Sequence, residues 1–319
     1  MGGRVVVDDG AMSQPAPALP RTVGRPPRAD ALLMAVGIVA VSTSGPLMAA
    51  IVAPALAIAL WRNLLAAVAI WPVALLTRRS ELRRLTRREL WWATGAGVLL
   101  ALHFATWVPS LRYTSVASAT ALVATQPVWV ALIARASGHY VPRRAWLGIA
   151  VSLVAVVVLT GVDFSLERRA LIGDLLALLG GVFAAFYTVA GAEVRRTVST
   201  TSYTALCYST AAVTLLVACL VGRVDLWGYS DQTWLQLLTL TAGAQLLGHT
   251  VFNMVLRSTS ATVVSLALLL EIPGAALIAA AALGQTPPLA ALPAAVLLLL
   301  GLGIVVSSGG DVEPSIPSE

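Results

Sequence analysis

The sequence predicts an all-α polytopic membrane protein with ten transmembrane helices, arranged as two inverted five-helix repeats. Three observations support this prediction. Of the 319 residues, 58% are hydrophobic and only 11% are charged, whereas about a quarter of the residues in a soluble domain are charged. Ten apolar segments follow one another along the chain, and a stretch in the first half occurs again, altered, 145 positions later.

The composition places most of the chain in a bilayer and narrows its chemistry. A mean hydropathy of +0.85 is too high for a soluble core, so lipid must solvate most of the surface. The pI near 10.0 comes entirely from arginine, because the sequence contains no lysine. This excludes a lysine-bearing phosphate loop, a Schiff-base lysine and a Ser-Lys dyad. The arginines are expected to orient the loops, and no nucleic-acid partner is expected.

The repeated stretch covers residues 103–134 and again residues 249–279. At the 145-residue offset Gln126 pairs with Glu271, and the two leading histidines pair with a slip of one residue. Four more residues recur at this offset, with Leu111, Arg112, Thr114 and Ser115 matching Leu256, Arg257, Thr259 and Ser260. Five spans in each copy is an odd number, so the second copy is expected to be inserted upside down.

Taken in order, the chain divides into two tails and two repeats. Residues 1–28 are polar and rich in proline, and are predicted to be a disordered cytoplasmic tail. The first repeat covers 29–161, the second covers 173–307, and residues 308–319 form a second cytoplasmic tail. Asp174 is expected to interact with the N-terminus of the sixth helix. The predicted spans are 30–50, 54–77, 90–109, 113–134, 145–161, 173–192, 203–221, 234–255, 260–282 and 289–307.

These segments are predicted to be helices because a chain in lipid must satisfy its own backbone hydrogen bonds. Arginine sets their orientation. With the N-terminus in the cytoplasm, sixteen loop and tail arginines lie on the cytoplasmic side and four on the other, so both termini are expected inside. The basic stretch at 78–88 either rests on the anionic leaflet or is a solvated loop.

Short motifs occur in a fixed order along both halves. They are WRN (61–63), LRYTS (111–115), QP (126–127), GDLL (173–176), Glu271 and GQTP (284–287). In order, spacing and duplication these motifs resemble the EamA family of the drug/metabolite transporter superfamily over about residues 30–307. The resemblance implies a ten-helix fold and export of a small metabolite or drug. Many members of that family have a proline directly after the glutamate, whereas here Ile272 precedes Pro273.

Charged side chains within predicted spans are costly, so each is a candidate site residue. Glu271 either lines a central cavity, where it binds substrate or a proton, or is a structural partner of an arginine or of backbone freed by Pro273. Arg62 keeps its proton and needs an anion, a carbonyl or water. It either clamps a carboxylate or phosphate of the substrate or pairs with Glu271. Gln126 is the neutral counterpart of Glu271 in the first repeat.

Two histidines are further candidates for substrate binding or proton coupling. His103 and His249 occupy equivalent places in helices 3 and 8, where they either relay protons or make interhelical hydrogen bonds. Trp107 follows His103 by four residues and Asn253 follows His249 by four. Each pair therefore shares one helix face, and both faces are predicted to turn inward.

Helix 1 and helix 6 contribute the remaining candidates. Pro46 frees carbonyls one turn earlier in helix 1, beside Ser42 and Ser44. This break either binds substrate or is a kink whose carbonyls are satisfied by hydroxyl groups. In helix 6 the Gly-Gly pair at 180–181 permits close helix packing, and Tyr187 either walls the cavity or packs between helices.

We expect a secondary transporter that exports a small solute across the plasma membrane by alternating access, with proton coupling left open. One alternative is a nucleotide-sugar or lipid-linked solute carrier of the same superfamily. Another is a membrane-embedded hydrolase that uses His103, His249 and Glu271, but these lie on three helices without a nucleophile or a metal-binding spacing. The expected partners are a small-molecule substrate and the lipid bilayer. No cofactor or metal is expected, and a homodimer is left open.

Overall fold

The structure, a computed structural model of the chain, describes residues 26–114, 116–160, 167–283 and 291–308. All regular secondary structure in these ranges is helical, which confirms the all-α class. The helices are α1 (Arg28–Ser42), α2 (Ser44–Ala50), α3 (Ala55–Thr77), α4 (Arg79–Arg84), α5 (Arg87–Ser110), α6 (Val116–Val123), α7 (Gln126–Ala136), α8 (Arg143–Thr160), α9 (Arg168–Val194), α10 (Thr200–Val221), α11 (Asp231–Leu240), a π-helical segment (Thr241–His249), α12 (Thr250–Val255), α13 (Ala261–Leu268), α14 (Glu271–Leu283) and α15 (Ala291–Ser307).

Within the described ranges, α3, α5, α9 and α10 are each long and apolar enough to cross a membrane unaided. The other predicted spans coincide with shorter or interrupted helices. The spans at 30–50, 113–134 and 260–282 are each divided in two, between α1 and α2, α6 and α7, and α13 and α14. The apolar, multi-helix organisation is therefore confirmed, while the count of ten spans stays a prediction.

The interruptions recur at the offset of the repeated sequence. Helix α6 begins at Val116 and α13 begins at Ala261, 145 positions later. After the break, α7 begins at Gln126 and α14 begins at Glu271, the two residues that the alignment pairs. Equivalent breaks in two repeats are typical of transporters, where irregular backbone is tolerated next to a cavity or a buried polar site.

Hydroxyl side chains begin several helices where the chain returns to the apolar layer. Thr86 Oγ1 accepts a hydrogen bond from the Glu89 N–H at 3.2 Å, and Glu89 Oε2 accepts one from the Thr86 N–H at 2.8 Å. This capping box begins α5. Ser199 caps α10 and Ser260 caps α13, each by accepting a hydrogen bond from one backbone N–H of the first turn. Such caps satisfy N–H groups that the first turn of a helix leaves free.

Helix α9 begins earlier than predicted. The sixth span was expected from residue 173, but α9 begins at Arg168 because the intervening residues are mostly good helix formers. Asp174 therefore lies inside the helix, and its Oδ1 accepts a hydrogen bond from Thr114 Oγ1 at 2.6 Å. The expected interaction of Asp174 with the helix N-terminus is wrong. The GQTP motif and most residues of both predicted tails lie outside the described ranges.

Glycines allow the helices to approach closely at two contacts. A Cβ on Gly180 would lie 3.1 Å from the Cβ of Trp107, so α9 packs tightly against α5, as predicted. Between α8 and α15, a Cβ on Gly148 would lie 2.5 Å from the carbonyl oxygen of Gly301. A side chain at Gly148 would displace the opposite helix, and a Cβ at Gly180 would have to push Trp107 aside by a few tenths of an ångström. Small residues at such contacts are how membrane helices pack closely.

Long aliphatic side chains cover the outside of the bundle. Leu76 and Val52 are 85% and 83% exposed, although both are strongly apolar. Trp91 is 78% exposed near the start of α5, where an aromatic anchor at the membrane interface is expected. Because water would not solvate such a surface favourably, the chain is a multi-pass membrane protein.

Candidate functional site

Arg62 lies fully buried on α3 at the middle of what we name the central cluster, defined as Arg62, Ser44, Asn63, Phe104 and Gln245. Its Nε donates a hydrogen bond to Gln245 Oε1 at 2.9 Å, and its Nη1 donates to Ser44 Oγ at 3.5 Å. The guanidinium carbon lies 4.3 Å from the centre of the Phe104 ring, a cation–π distance. A buried arginine needs such partners, because an arginine in mid-membrane costs about 3 kcal/mol or more.

Gln245 is a site residue that the sequence analysis did not single out. Its Nε2 donates to Asn63 Oδ1 at 3.1 Å while its Oε1 accepts from Arg62, so the amide is held at both ends. Gln245 lies in the π-helical segment, where its backbone carbonyl accepts hydrogen bonds from the hydroxyls of Tyr208 at 3.4 Å and Thr250 at 3.3 Å. Such wide turns are common at functional sites. The available signal was an amide side chain inside an apolar span.

Aromatic rings of α5 extend the central cluster away from Arg62. The His103 ring lies 4.8 Å from the Phe104 ring and stacks on Trp107, with centroids 5.5 Å apart. His103 Nδ1 lies 2.9 Å from the Gly180 carbonyl oxygen, so Nδ1 is the nitrogen that carries the proton. His249 meets the Phe104 ring edge-on at 5.8 Å. Both predicted histidines therefore lie next to the ring of Phe104.

The break between α1 and α2 contacts the break between α13 and α14. Ser42 Oγ lies 2.7 Å from a carbonyl oxygen of α1 and 3.3 Å from the carbonyl oxygen of Glu271. Thr43 Oγ1 donates to another carbonyl of α1 at 2.7 Å. Hydroxyl groups thus bond carbonyls in the last turn of α1, and not the Ser42 carbonyl that Pro46 leaves free, so both alternatives for this break stay open. Ser44 instead faces Arg62.

Glu271 is the first residue of α14 and lies next to the central cluster. Among the ion pairs of the described residues none joins Glu271 to Arg62, although their charges are close enough to attract each other. The start of a helix also favours a negative charge, because the helix dipole is positive there. Gly274 brings α14 against α1, since a Cβ on it would lie 2.2 Å from Ser42 Oγ.

Helix α9 contributes two polar residues to this region, Tyr187, which was predicted, and Thr188, which was not. Tyr187 donates a hydrogen bond from its hydroxyl to Asn253 Oδ1 at 2.9 Å. Gln126 Nε2 donates to Thr188 Oγ1 at 3.0 Å. Tyr187 and Thr188 are neighbours on α9, so this helix connects Gln126 of the first repeat with Asn253 of the second. Thr188 was not singled out, because a lone hydroxyl group inside an apolar helix is a weak signal.

Three buried N–H donors of this region have no hydrogen-bond partner in the part of the chain that the structure describes. They are Arg62 Nη2, Trp107 Nε1 and Asn253 Nδ2. The other two unpaired buried groups are the hydroxyls of Ser152 and Tyr203, outside the central cluster. An unpaired buried donor costs about 1–3 kcal/mol. All three groups are donors, so only a molecule with hydrogen-bond acceptors would satisfy them.

Across the described ranges, no three His, Cys, Asp or Glu side chains come together in a way that could hold a metal ion. The two histidines of the site share an aromatic neighbour, Phe104, and not a carboxylate. The expectation that the protein uses no metal and no cofactor stays a prediction.

Comparison with known proteins confirms the resemblance read from the motifs. Residues 29–161 and 171–307 each match the EamA-like transporter family, so the match covers both repeats. An uncharacterized transporter of Archaeoglobus fulgidus is 25% identical over 197 residues, which span 61% of this chain and 66% of that protein. A solved crystal structure shares the fold, with a TM-score of 0.71 over 88% of this chain and 97% of its own, at 21% identity. The chain belongs to the EamA-like transporter family.

Proposed function

We propose that the protein exports a small solute carrying a carboxylate, or a comparable anionic group, by alternating access. The observation that carries this proposal is the set of three unpaired buried donors, with Arg62 foremost. An arginine stays protonated, so it offers a permanent positive charge in the middle of the bundle. An anionic group can satisfy this charge, whereas a cationic solute would be repelled by it.

The partners that already hold Arg62 are neutral, which leaves its charge available. Gln245 and Ser44 supply dipoles, and Phe104 supplies the face of a ring. Neutral partners offset only part of the cost of removing a guanidinium from water. A carboxylate can add a charge-assisted hydrogen bond at Nη2. Trp107 and Asn253 supply further donors beside Gly180 and Tyr187 of α9. These two positions are about 10 Å apart along the helix, so a solute has to extend along α9 to reach both.

Alternating access is supported by the interrupted helices. An interruption lacks some of the backbone hydrogen bonds of a continuous helix, so bending there costs less than elsewhere. The contact between Ser42 and the Glu271 carbonyl joins the α1–α2 break to the α13–α14 break. Movement at one break is therefore transmitted to the other, on the side of the site that carries Glu271.

The charge of Glu271 suggests how an anion is released. When Glu271 is ionised, it competes with a bound carboxylate for the positive charge of Arg62, and so weakens substrate binding in the occupied site. Outward movement of an anion is also favoured by an inside-negative membrane potential, by about 2.3 kcal/mol per charge for each 100 mV. The arginine distribution supports both termini in the cytoplasm, and export of a solute from the cell places the protein in the plasma membrane.

The test compares metabolites released by cells that lack the protein with those released by cells that overproduce it. We expect the released solutes to be enriched in small carboxylates over amines of similar size. Arg62→Gln should abolish this release, and Arg62→Lys, which keeps the charge but not the planar fork, should retain part of it. Arg135→Gln changes an exposed arginine at the end of α7 and serves as the control.

Membrane insertion of each variant is measured in parallel by surface labelling. Two results would overturn the proposal. One is preferential release of amines. The other is release of carboxylates by an inserted Arg62→Gln variant at the rate of the Arg135→Gln control.

A further inference from the structure

A second polar site lies at the end of the bundle where α3 ends and α9 leads into α10. A cavity of about 290 Å³ there is lined by four arginines and one carboxylate, namely Arg78, Arg195, Arg196, Arg257 and Glu81. None of these residues belongs to the central cluster, and the proposed transport step uses none of them. The cavity lies on the side that the arginine distribution assigns to the cytoplasm.

Glu81 does not neutralise these arginines by pairing with them. Its two oxygens accept hydrogen bonds from the Ser199 N–H at 2.6 Å, the Ser199 hydroxyl at 2.6 Å and the Ser202 hydroxyl at 2.9 Å. Burial raises the pKa of Glu81, but these hydrogen bonds and the charge of Arg78 outweigh it and lower the pKa. The carboxylate is therefore charged, and its oxygens accept hydrogen bonds from Ser199 and Ser202 at the start of α10.

The charges around the cavity leave a positive surplus. Arg196 lies 3.1 Å from Glu193, which is outside the cavity lining and also pairs with Arg88 at 2.9 Å. Even without Arg196, three arginines face the single negative charge of Glu81, namely Arg78, Arg195 and Arg257, which leaves two uncompensated positive charges. This surplus equals the charge of one dianionic phosphate group.

Arg195 forms the buried side of the cavity, and its own hydrogen bonds hold it in place. It is only 3% exposed, and its Nε donates to the Asn253 carbonyl oxygen at 2.9 Å while its Nη1 donates to the Val198 carbonyl oxygen. Burial and repulsion by Arg257 lower the pKa of Arg195 to about 10, so Arg195 stays cationic at neutral pH. Two guanidinium groups held together are unfavourable, and an anion between them would offset the repulsion.

Arg257 lacks a hydrogen-bond partner of the kind that the equivalent arginine has in the first repeat. At the 145-residue offset Arg257 corresponds to Arg112, and Val198 corresponds to Ala53. Arg112 donates to the Ala53 carbonyl oxygen at 2.9 Å. In the second repeat Arg195 takes the equivalent carbonyl. The Arg257 side chain is exposed and forms no hydrogen bond or ion pair with any residue that the structure describes.

We infer that this cavity binds a phosphate group, held between the exposed Arg257 and Arg78 and the buried Arg195. Guanidinium forks match phosphate oxygens in pairs, which favours phosphate over a single-atom anion. The phosphate comes either from a free phosphate or phosphate ester in the cytoplasm or from the headgroup of an anionic lipid, because the site lies at the end of the bundle next to the basic helix α4.

The experiment measures thermal unfolding of the full chain and has two arms. In neutral detergent, inorganic phosphate is titrated against sodium chloride of matched ionic strength. In nanodiscs, phosphatidylcholine alone is compared with phosphatidylcholine containing phosphatidic acid. We expect a saturable rise in melting temperature of about 2–4 °C in at least one arm. A rise with phosphate identifies a soluble ligand, and a rise with phosphatidic acid alone identifies a lipid headgroup.

Arg257→Gln is the diagnostic variant, because its side chain makes no contact that folding requires. It should weaken the response about tenfold in apparent affinity, whereas Arg135→Gln should leave it unchanged. The inference is overturned if neither arm gives a rise beyond chloride, or if Arg257→Gln responds like Arg135→Gln. The experiment measures phosphate binding and not transport. A negative result would therefore contradict this inference without bearing on the proposed export.

Discussion

Replacing Gln245 tests whether the free charge of Arg62 is what binds the solute. Gln245→Leu removes the 2.9 Å hydrogen bond to Arg62 and the 3.1 Å hydrogen bond to Asn63. A hydrogen bond to a charged group contributes about 1.5–3 kcal/mol, and a neutral one between membrane helices about 0.6 kcal/mol. The variant should therefore lose about 2–4 kcal/mol of stability.

Gln245→Glu separates stability from function. It keeps the acceptor for Arg62 and replaces a neutral partner by a carboxylate, but its second oxygen then faces Asn63 Oδ1, to which the amide donated at 3.1 Å. The charge-assisted pair with Arg62 offsets this repulsion. Its stability should be at least close to that of the wild type. Its own charge would occupy Arg62, so carboxylate transport should fall at least about tenfold, which corresponds to 1.4 kcal/mol of lost binding.

Melting temperature in detergent and transport in proteoliposomes are the two measurements. A loss of about 2–4 kcal/mol corresponds to a fall of about 4–12 °C for Gln245→Leu. Gln232→Glu adds the same charge at an exposed position of α11 and should change neither quantity. The reasoning is refuted if Gln245→Glu folds and still transports carboxylates like the Gln232→Glu control, because Arg62 would then not be the anion site.

Further outcomes are expected elsewhere in the chain. Glu271→Gln should insert normally and bind carboxylates more tightly but turn over much more slowly, and wild-type efflux with unchanged pH dependence would make Glu271 structural. Because the pKa of Glu81 lies below its ordinary 4.5, its contribution to stability is present above that pH and lost as the pH falls through the lower folded value. Glu81→Gln should therefore melt earlier than wild type at neutral pH, with the difference shrinking in acid; a constant difference contradicts this. Gly301→Val should separate α15 from α8 and lower the melting temperature, and an unchanged melting curve would contradict the close contact. Reporter fusions after residues 79 and 166 should report opposite sides of the membrane; the same side for both would refute five spans per repeat.

Hydropathy and duplication were sufficient to predict the helical class and much of the site. Arg62 and Glu271 stand out because few charges interrupt the apolar segments. His103 and His249 were identified by their repeated surroundings, and the structure brings both to Phe104. In each case a polar side chain within an apolar segment marks a residue that needs interaction partners when it is buried.

Contacts between distant helices could not be predicted in the same way. Gln245 belongs to the site because its side chain contacts Arg62 and Asn63 of α3, and hydropathy carries no record of these contacts. Pairing of Tyr187 with Asn253 depends equally on how α9 crosses α12. Arg257 looked like any other loop arginine, because its lack of a partner follows from what Arg195 contacts.

The π-helical segment also explains how the second copy of this helix accommodates one more residue than the first. The first copy of this helix runs from its cap at Thr86 to Leu111, and the second from Ser230 to Leu256, which is longer by one residue. An insertion in a regular α-helix would rotate everything after it by about 100°. The wide turns absorb the inserted residue locally, so Asn253 keeps the inward orientation of its counterpart Val108. The helix beyond the inserted residue therefore keeps its register with the rest of the protein, and an amide at Asn253 faces the interior where the first copy has the apolar side chain of Val108.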